Sequence, residues 1–502
     1  MTLSLSGGET FSLSAATKNE RNILSRLQRS HATEQLRQDL WGERTRIEAL
    51  VANHLRRMSP SACTVQPTNT WFKGQFNICV VVHVQLGDQT LSKMIFRCPM
   101  AHKVGEQYTP GSVDEKMRTE VATYAWIEAN CPEIPIPCLR GFGFSRSLQF
   151  TRRANGTGYD SDPSDSKFER PYMLLDYVGD KGTMLSQTLK KFRDADPDRL
   201  QNLLRGISRI MISLASKAQS RIGSLRFSDD GSIELGNRPL FCANTILESE
   251  GAPKVVNRTY ATEGHFIDDM LRFREESFRA QPNAVNDEED CRLQMFHMVL
   301  LRRMKAHFAD RHYQGPFVLQ FTDFHASNIF VDDEWNIVSL IDLEFVCALP
   351  PSMLSAPYWL TVDAMDEISD RIDAFGRLHQ LFISTLRRYQ QRLRHEHNVD
   401  LALAVESAWE TYAYWFYGCF TSINCMPCCV EDHLYKKFRF EPSPDEEMRY
   451  ARILSSRWSS DPDAFVKQKL CDKAKYDDDL ARHFDREQAA KGEKALALAS
   501  AV

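Results

Sequence analysis

Long apolar runs are missing from this sequence. No stretch of its 502 residues approaches 18 consecutive apolar positions, which excludes a membrane-spanning helix. Residues 1–18 are rich in Ser and Thr but lack the charged start and apolar block of a secretory signal, and Glu9 and Glu20 interrupt a mitochondrial presequence. A large excess of either charge is missing too. Lys and Arg number 62 and Asp and Glu 67, so the net charge of −5 argues against a general grip on nucleic acid or on a membrane surface. The 13 cysteines, an odd number spread from Cys63 to Cys471, lack the pairing of a disulfide framework and read as reduced thiols in a cytoplasmic protein. One dense group, Cys425, Cys428, Cys429 and His433, lacks the second ligand pair of most zinc sites. Buried thiols are the simpler reading of it, beside a metal site. No internal repeat of about 20–50 residues is present.

What is there changes character along the chain. Residues 1–30 look like a loose tail. From about 33 to 57, Leu36, Leu40, Ile47, Leu50, Val51, His54 and Leu55 share one face of a helical pattern. Between 70 and 97 the period becomes two: Ile78, Val80, Val82 and Val84 alternate, Gly87-Asp88 interrupts, and Met94, Ile95 and Phe96 resume, which predicts a β-hairpin ending at Arg97. A helix over about 114–130 ends at Cys131-Pro132. Tyr172-Met173-Leu174-Leu175 is a strand candidate before Gly179. Helical spacing then dominates at 200–218, 291–308, 363–397 and 401–416, while 225–290 reads as irregular. Residues 461–502 read as a solvated helix or as partly unstructured. A sheet-rich part followed by a helix-rich part predicts two lobes joined near 176–179.

Chemistry concentrates in one stretch. Asp323 stands on a loop, and Asn328 follows five residues later. Ile329-Phe330-Val331 and Ile337-Val338-Ser339-Leu340-Ile341 flank a polar turn, and Asp342 and Glu344 come next. Two antiparallel strands bring the chain back to its start, so Asn328 and Asp342 become neighbours. Phosphoryl transfer needs hard oxygen ligands for Mg²⁺, here Asn328 and Asp342, and a carboxylate to take the proton of the attacking hydroxyl, here Asp323. An isolated Asp-x4-Asn pair is common, and the run Asp332-Asp333-Glu334 is a solvated turn. A bare structural acid directly after an apolar strand, as at Asp342, would be costly to bury.

This stretch resembles the aminoglycoside phosphotransferase and choline kinase-like family, and within it a fungal branch, over roughly residues 45–420. The family loop reads His-x-Asp-x4-Asn and its later strand ends Ile-Asp-Trp/Phe-Glu; here they are Phe321-Thr322-Asp323 with Asn328, and Ile341-Asp342-Leu343-Glu344. The resemblance implies an α+β, protein-kinase-like fold with a small β-rich N-lobe and a larger, mostly helical C-lobe. It implies ATP and Mg²⁺ as cofactors and a small-molecule hydroxyl as acceptor. Asp323 is then the catalytic base, Asn328 and Asp342 hold the metal, and Glu344 is accessory. Upstream, Phe72-Lys73-Gly74-Gln75-Phe76-Asn77 is similar to the family's phosphate-covering loop, which places Gly74, Phe76 and Asn77 at the nucleotide. An ordinary turn is the alternative there. Arg97 stands where the family fold places its phosphate-pairing Lys, with Glu120 as its positioning partner, or else as a solvent-facing charge. Asp176, Tyr177 and Val178 would face adenine. The stretches Arg221-Ile222-Gly223-Ser224-Leu225, Gly236-Asn237-Arg238-Pro239-Leu240, Gln281-Pro282-Asn283 and Pro357-Tyr358-Trp359-Leu360 look like the fungal relatives.

Phe321 departs from the family histidine, which props the loop, and His325 serves loop structure. The segment 225–290 either shapes the acceptor site or is a surface elaboration. Asp363, Asp366, Glu367, Asp370 and Asp373 suit a helix N-terminus better than a cationic acceptor. The expected division is 1–60 tail and helix, 61–178 N-lobe, 179–430 C-lobe and 431–502 C-terminal extension. Phe321 and Arg97 also fit a non-catalytic, nucleotide-binding pseudokinase scaffold. A protein kinase is disfavoured, since Asp-Phe-Gly and Ala-Pro-Glu segments are absent.

Overall fold

The computed structural model describes all residues except 1, 5–9, 20, 57–58, 86–90, 163–167, 194–195, 394–398 and 500–502. The longest paired strands, Asn77–Gln85 and Leu91–Pro99, run antiparallel with Val80 opposite Phe96. The Gly87-Asp88 turn expected between them lies outside the described residues. They belong to an eight-stranded sheet ordered Cys63–Val65, Asn77–Gln85, Leu91–Pro99, Tyr172–Asp176, Leu139–Phe144, Leu148–Arg152 and Tyr159–Asp162, with Phe72–Lys73 also pairing with Asn77–Gln85.

The two-residue period decides what each face of this sheet buries. Ile78, Val80, Val82, Val84, Tyr172 and Leu174 pack with Leu36, Leu40, Ile47 and Leu50 of the helices Ile23–Gly42 and Arg44–His54. Met173 and Leu175 turn the other way, toward Val121, Tyr124 and Ile127 of the helix Ser112–Asn130. One strand thus serves two cores, and a register slip of one residue would exchange them.

The C-lobe is mostly helical: Pro197–Ala215, Cys242–Ser249, Glu263–Ala280, Glu288–Phe308, Ile372–Leu393, Leu401–Glu410 and Ala413–Thr421. Two short antiparallel pairs sit among these helices. Val318–Phe321 pairs with Val346–Leu349, and Ile329–Val331 pairs with Ile337–Leu340. Thr183–Met184, just past the connector, joins the second pair and anchors the end of the connector to it. The fold is α+β, with a β-rich first lobe and a helical second one. Among the described residues, no helix is long and apolar enough to cross a membrane.

Four expectations need correction. The first 30 residues are not a loose tail: Leu13–Thr17 is helical, and another helix starts at Ile23. Ala16, Ile23 and Leu27 bury against Tyr476, Leu480 and Phe484 of the last helix, Pro462–Ala499. The Tyr476 hydroxyl accepts the Ile23 N–H at 2.8 Å, and Lys473 Nζ donates to the Thr17 carbonyl at 2.7 Å. The C-terminal segment is therefore a docked helix over most of its length. The segment 225–290 is ordered, with two helices and a strand pair, Ser224–Phe227 with Ile233–Asn237. The helix expected over 401–416 breaks at Tyr412, whose φ of 69° is left-handed, and the chain resumes as Ala413–Thr421.

Candidate active site

The chain reverses between Ile329–Val331 and Ile337–Leu340 through the turn 332–336, where Asp332 accepts the Glu334 and Asn336 N–H groups. The reversal brings Ile341 N–H within 3.0 Å of the Asn328 carbonyl, so Asn328 and Asp342 lie side by side. The Asn328 amide nitrogen donates to the Asp323 carbonyl at 3.0 Å and ties the loop to the hairpin. With Nδ2 committed, Oδ1 of Asn328 remains as its acceptor. Asp342 has φ 63°, a left-handed conformation that Asp tolerates better than most residues and that redirects the chain at the strand end. The expected tie between Asp323, Asn328 and Asp342 is thus a local product of one loop and one hairpin.

A buried charge network meets this hairpin from the N-lobe. Arg97, at the end of its strand, extends Nη1 to Glu120 and Nη2 to Asp342, and Nη2 also lies 3.2 Å from Glu344. Lys116, one helical turn before Glu120, contacts Glu344 and lies 3.8 Å from Glu120. The Asn77 amide donates to Glu344 at 3.0 Å. Glu120 and Glu344 are 0% and 1% exposed, so both depend on these cations for compensation. Burial pushes the Asp342 carboxyl up, but Arg97 and Lys116 outweigh it and hold it below its ordinary value. Burial, reinforced by Asp342, pushes Glu344 up to about 8. Burial likewise raises Glu120 against the pull of Arg97.

Asp323 lies apart from this network. Burial raises its carboxyl, the Asp342 charge adds to that, and His325 and a hydrogen bond from Cys242 work against it. Asp323 opens onto a cavity of about 500 Å³ in the C-lobe. Phe321, in the family's histidine position, stacks on Phe324 with ring centroids 5.4 Å apart, and Phe324 meets Trp359 edge-on at 5.8 Å. The loop is thus propped by aromatic packing where a histidine would use hydrogen bonds.

The remaining expected residues are more scattered. Gly74 N–H closes a tight turn on the Asn77 carbonyl at 3.0 Å, and Phe76 packs edge-on against Phe345. A methyl group on Gly74 would meet only the Asn77 carbonyl at 3.8 Å, so the fold itself does not require glycine there. Asp176 points to the sheet, held by Arg140 at 2.7 and 2.8 Å. The Asp176 and Tyr177 N–H groups are spent on the Cys138 and Lys93 carbonyls, and Val178 is buried. Tyr177 stacks on Phe72, which brings the Gly74 turn over the connector.

Lys116 and Cys242 escaped the sequence reading. The Lys116–Glu120 spacing of four was a usable signal for the first; nothing local marks Cys242. Asp363 and Asp366 precede the helix Ile372–Leu393 and also border the cavity, which the capping explanation alone did not foresee. In the cysteine cluster, His433 stacks face to face on Trp415 at 3.4 Å, and Cys428 donates to the Cys425 carbonyl. Among the described residues, the groups bringing three ligand atoms within 4.8 Å of one another are Glu120–Asp342–Glu344 and His297–Glu431–Glu447, and the cysteines form no such group.

Residues 82–353, a little over half of the chain, match the family model described as "Phosphotransferase enzyme family". The match contains Arg97, Glu120, Asp323, Asn328 and Asp342 but starts after Gly74, Phe76 and Asn77. No curated protein matches the chain. Among solved structures, an amicoumacin kinase in complex with AMP-PNP, Ca²⁺ and Ami aligns at 11% identity and a TM-score of 0.31, over 80% of this chain and 89% of that one. That likeness is too distant to bear on activity.

Proposed function

The chain belongs to the phosphotransferase enzyme family, and from that premise we propose that it moves the γ-phosphate of ATP to a hydroxyl of a small molecule. One observation carries the reading: the hairpin sets Asn328 and Asp342 together while Asp323, on the same loop, opens to a cavity large enough for an acceptor. The 61–178 lobe would hold the nucleotide, 179–430 the acceptor and the catalytic loop, and 1–60 and 431–502 would be extensions.

The residues fit a divalent ion. The buried Glu344 Oε1 makes no hydrogen bond, and Glu120, Asp342 and Glu344 converge with hard oxygens. Asn328 Oδ1 and an Asp342 oxygen would hold Mg²⁺, and when bound the ion supplies neutralisation of phosphate charge. Asp323 orients the acceptor hydroxyl and takes its proton as the new O–P bond forms and the bond from the γ-phosphorus to ADP breaks. Its raised carboxyl suits a base better than an ordinary aspartate would. Arg97, held by Glu120, would meet the phosphates, with Gly74, Phe76 and Asn77 covering them. Asp176, Tyr177 and Val178 would line the adenine side, chiefly through carbonyls, since two of their N–H groups are spent.

Asp323→Asn tests the reading. Phosphate transfer should fall by at least about 100-fold while nucleotide binding, read by calorimetry, persists; undiminished transfer sinks the assignment. A non-catalytic scaffold draws support from the direct Arg97–Asp342 contact, which occupies an oxygen the metal needs. Nucleotide binding without Mg²⁺-dependent transfer to any acceptor in a metabolite extract would favour the scaffold.

A further inference from the structure

The cavity beside Asp323 has a wall made for apolar matter. Ile207, Ile210, Met211 and Leu214 recur at spacings of three and four along the helix Pro197–Ala215; Ile207, Ile210 and Leu214 are packed away at 1, 4 and 1% exposure, and Met211 is the residue of that face that opens to the space. Phe324 and Trp359, stacked edge-on, border it near Asp323.

Charge around the cavity is scarce, and half of it is spent. The charged residues that border it are Arg21, Asp323, Asp363 and Asp366. Arg21 is paired with Glu250 at 3.0 Å, and Asp363 with Lys190. Among the described residues, Asp366 is the one carboxylate besides Asp323 that borders the space without an ion pair. A polycation entering here would bring several ammonium groups to one or two free carboxylates. Each further ammonium would lose water without gaining a free carboxylate, which is unfavourable beside a mostly apolar wall. The volume of about 500 Å³ lies within the range of about 300–1,000 Å³ typical for a drug-sized ligand.

We propose that the acceptor is a neutral or singly charged alcohol with a substantial apolar body, seated against Met211 and Phe324 with its hydroxyl at Asp323. This rests on the phosphotransferase reading for the hydroxyl but not for the apolar seat. Asp366 leaves room for one positive charge on the acceptor, not for an array of them.

Calorimetric titration of the full chain with n-octyl β-D-glucoside below its micelle concentration, 4-phenylbutan-1-ol and kanamycin tests the seat without ATP. At least one neutral alcohol should bind more tightly than kanamycin. Met211→Glu, which places a carboxylate on the half-buried edge of that face, should weaken the neutral alcohol by at least about tenfold, and Met211→Leu should keep its affinity. Unchanged melting temperatures show that both variants fold. Kanamycin binding as tightly as or more tightly than both alcohols, no binding by either alcohol, or Met211→Glu without effect in a folded protein overturns the proposal. Because the readout needs no turnover, the two readings fail separately. An alcohol that binds at this face but is never phosphorylated removes the kinase reading alone; phosphorylation of kanamycin with no alcohol bound removes the apolar seat alone.

Discussion

Arg97→Met isolates what the buried charge network contributes. Arg97 is 6% exposed and touches three carboxylates, two of them essentially without solvent. Methionine keeps much of the side-chain volume and removes the charge, so packing loss is a minor part of the effect. What remains is Lys116 facing Glu120, Asp342 and Glu344. Removing one partner of a buried ion pair costs about 3–5 kcal/mol, and the network gives no reason for less. The sign with pH follows from the carboxyls. Glu120 and Glu344 already titrate above their ordinary values, and Arg97 is among the groups holding them down. Without it they bind protons more tightly in the folded chain than in the unfolded one over a wider pH range. Folding stability then falls further as pH rises through the folded values, and the penalty is larger at about pH 9.5 than at about pH 5.5, by roughly 1.4 kcal/mol for each unit by which a folded value rises within that range. Urea unfolding followed by tryptophan fluorescence at both pH values measures it. A penalty under about 1 kcal/mol, or one that does not change between the two pH values, refutes the buried-network account.

Phe484→Ala should release the N-terminal segment, because Phe484 is fully buried against Ala16, Ile23 and Leu27. The local cost is about 3–5 kcal/mol, and amide exchange over residues 13–27 should speed up by orders of magnitude while the N-lobe sheet stays protected; unchanged exchange would separate the segment from the last helix. Gly182→Ala would bring a methyl group to 2.5 Å from the Val331 carbonyl, a backbone atom, where the connector meets the hairpin that carries Asn328 and Asp342. It should lower stability by about 1–3 kcal/mol and impair phosphate transfer, whereas an unaltered melting temperature would show that the Thr183–Met184 strand yields freely.

What the sequence made legible was local. Asp323, Asn328 and Asp342 fall within one loop and one hairpin, so spacing alone predicts their meeting. The alternation of Ile78, Val80, Val82 and Val84 likewise names a face without naming its partner. Contacts between distant parts of the chain left weaker marks. Tyr476, Leu480 and Phe484 recur every four residues in a polar helix, yet nothing nearby says that Ala16 and Ile23 cover them. The helix Glu263–Ala280 carries Phe266, Ile267, Met270 and Leu271 at helical spacing, but the Gly, Asn and Pro residues around it at 251–257 and 281–283 disguised it. Tyr412 is equally silent, since an aromatic in a left-handed conformation contradicts its own backbone preference.

The departure at Arg97 has a geometric counterpart that the sequence could not display. A lysine carries its charge on one atom and can sit against one carboxylate or share itself between two close ones. The guanidinium divides the task, with Nη1 on Glu120 from the helix and Nη2 on Asp342 and Glu344 from the hairpin. Lys116 brings its ammonium to the same Glu344 oxygen, Oε2, and that ammonium lies 5.8 Å from the centre of the Phe76 ring. Two cations thus span three carboxylates drawn from both lobes, sharing Glu120 and Glu344 between them, while Arg97 alone reaches Asp342. A lysine at 97 would reach the group with a single nitrogen in place of the two that Arg97 sends to Glu120 and Asp342. The glutamate that positions residue 97, the asparagine of the Gly74 turn and the acid at the hairpin end are therefore tied to arginine as one electrostatic unit.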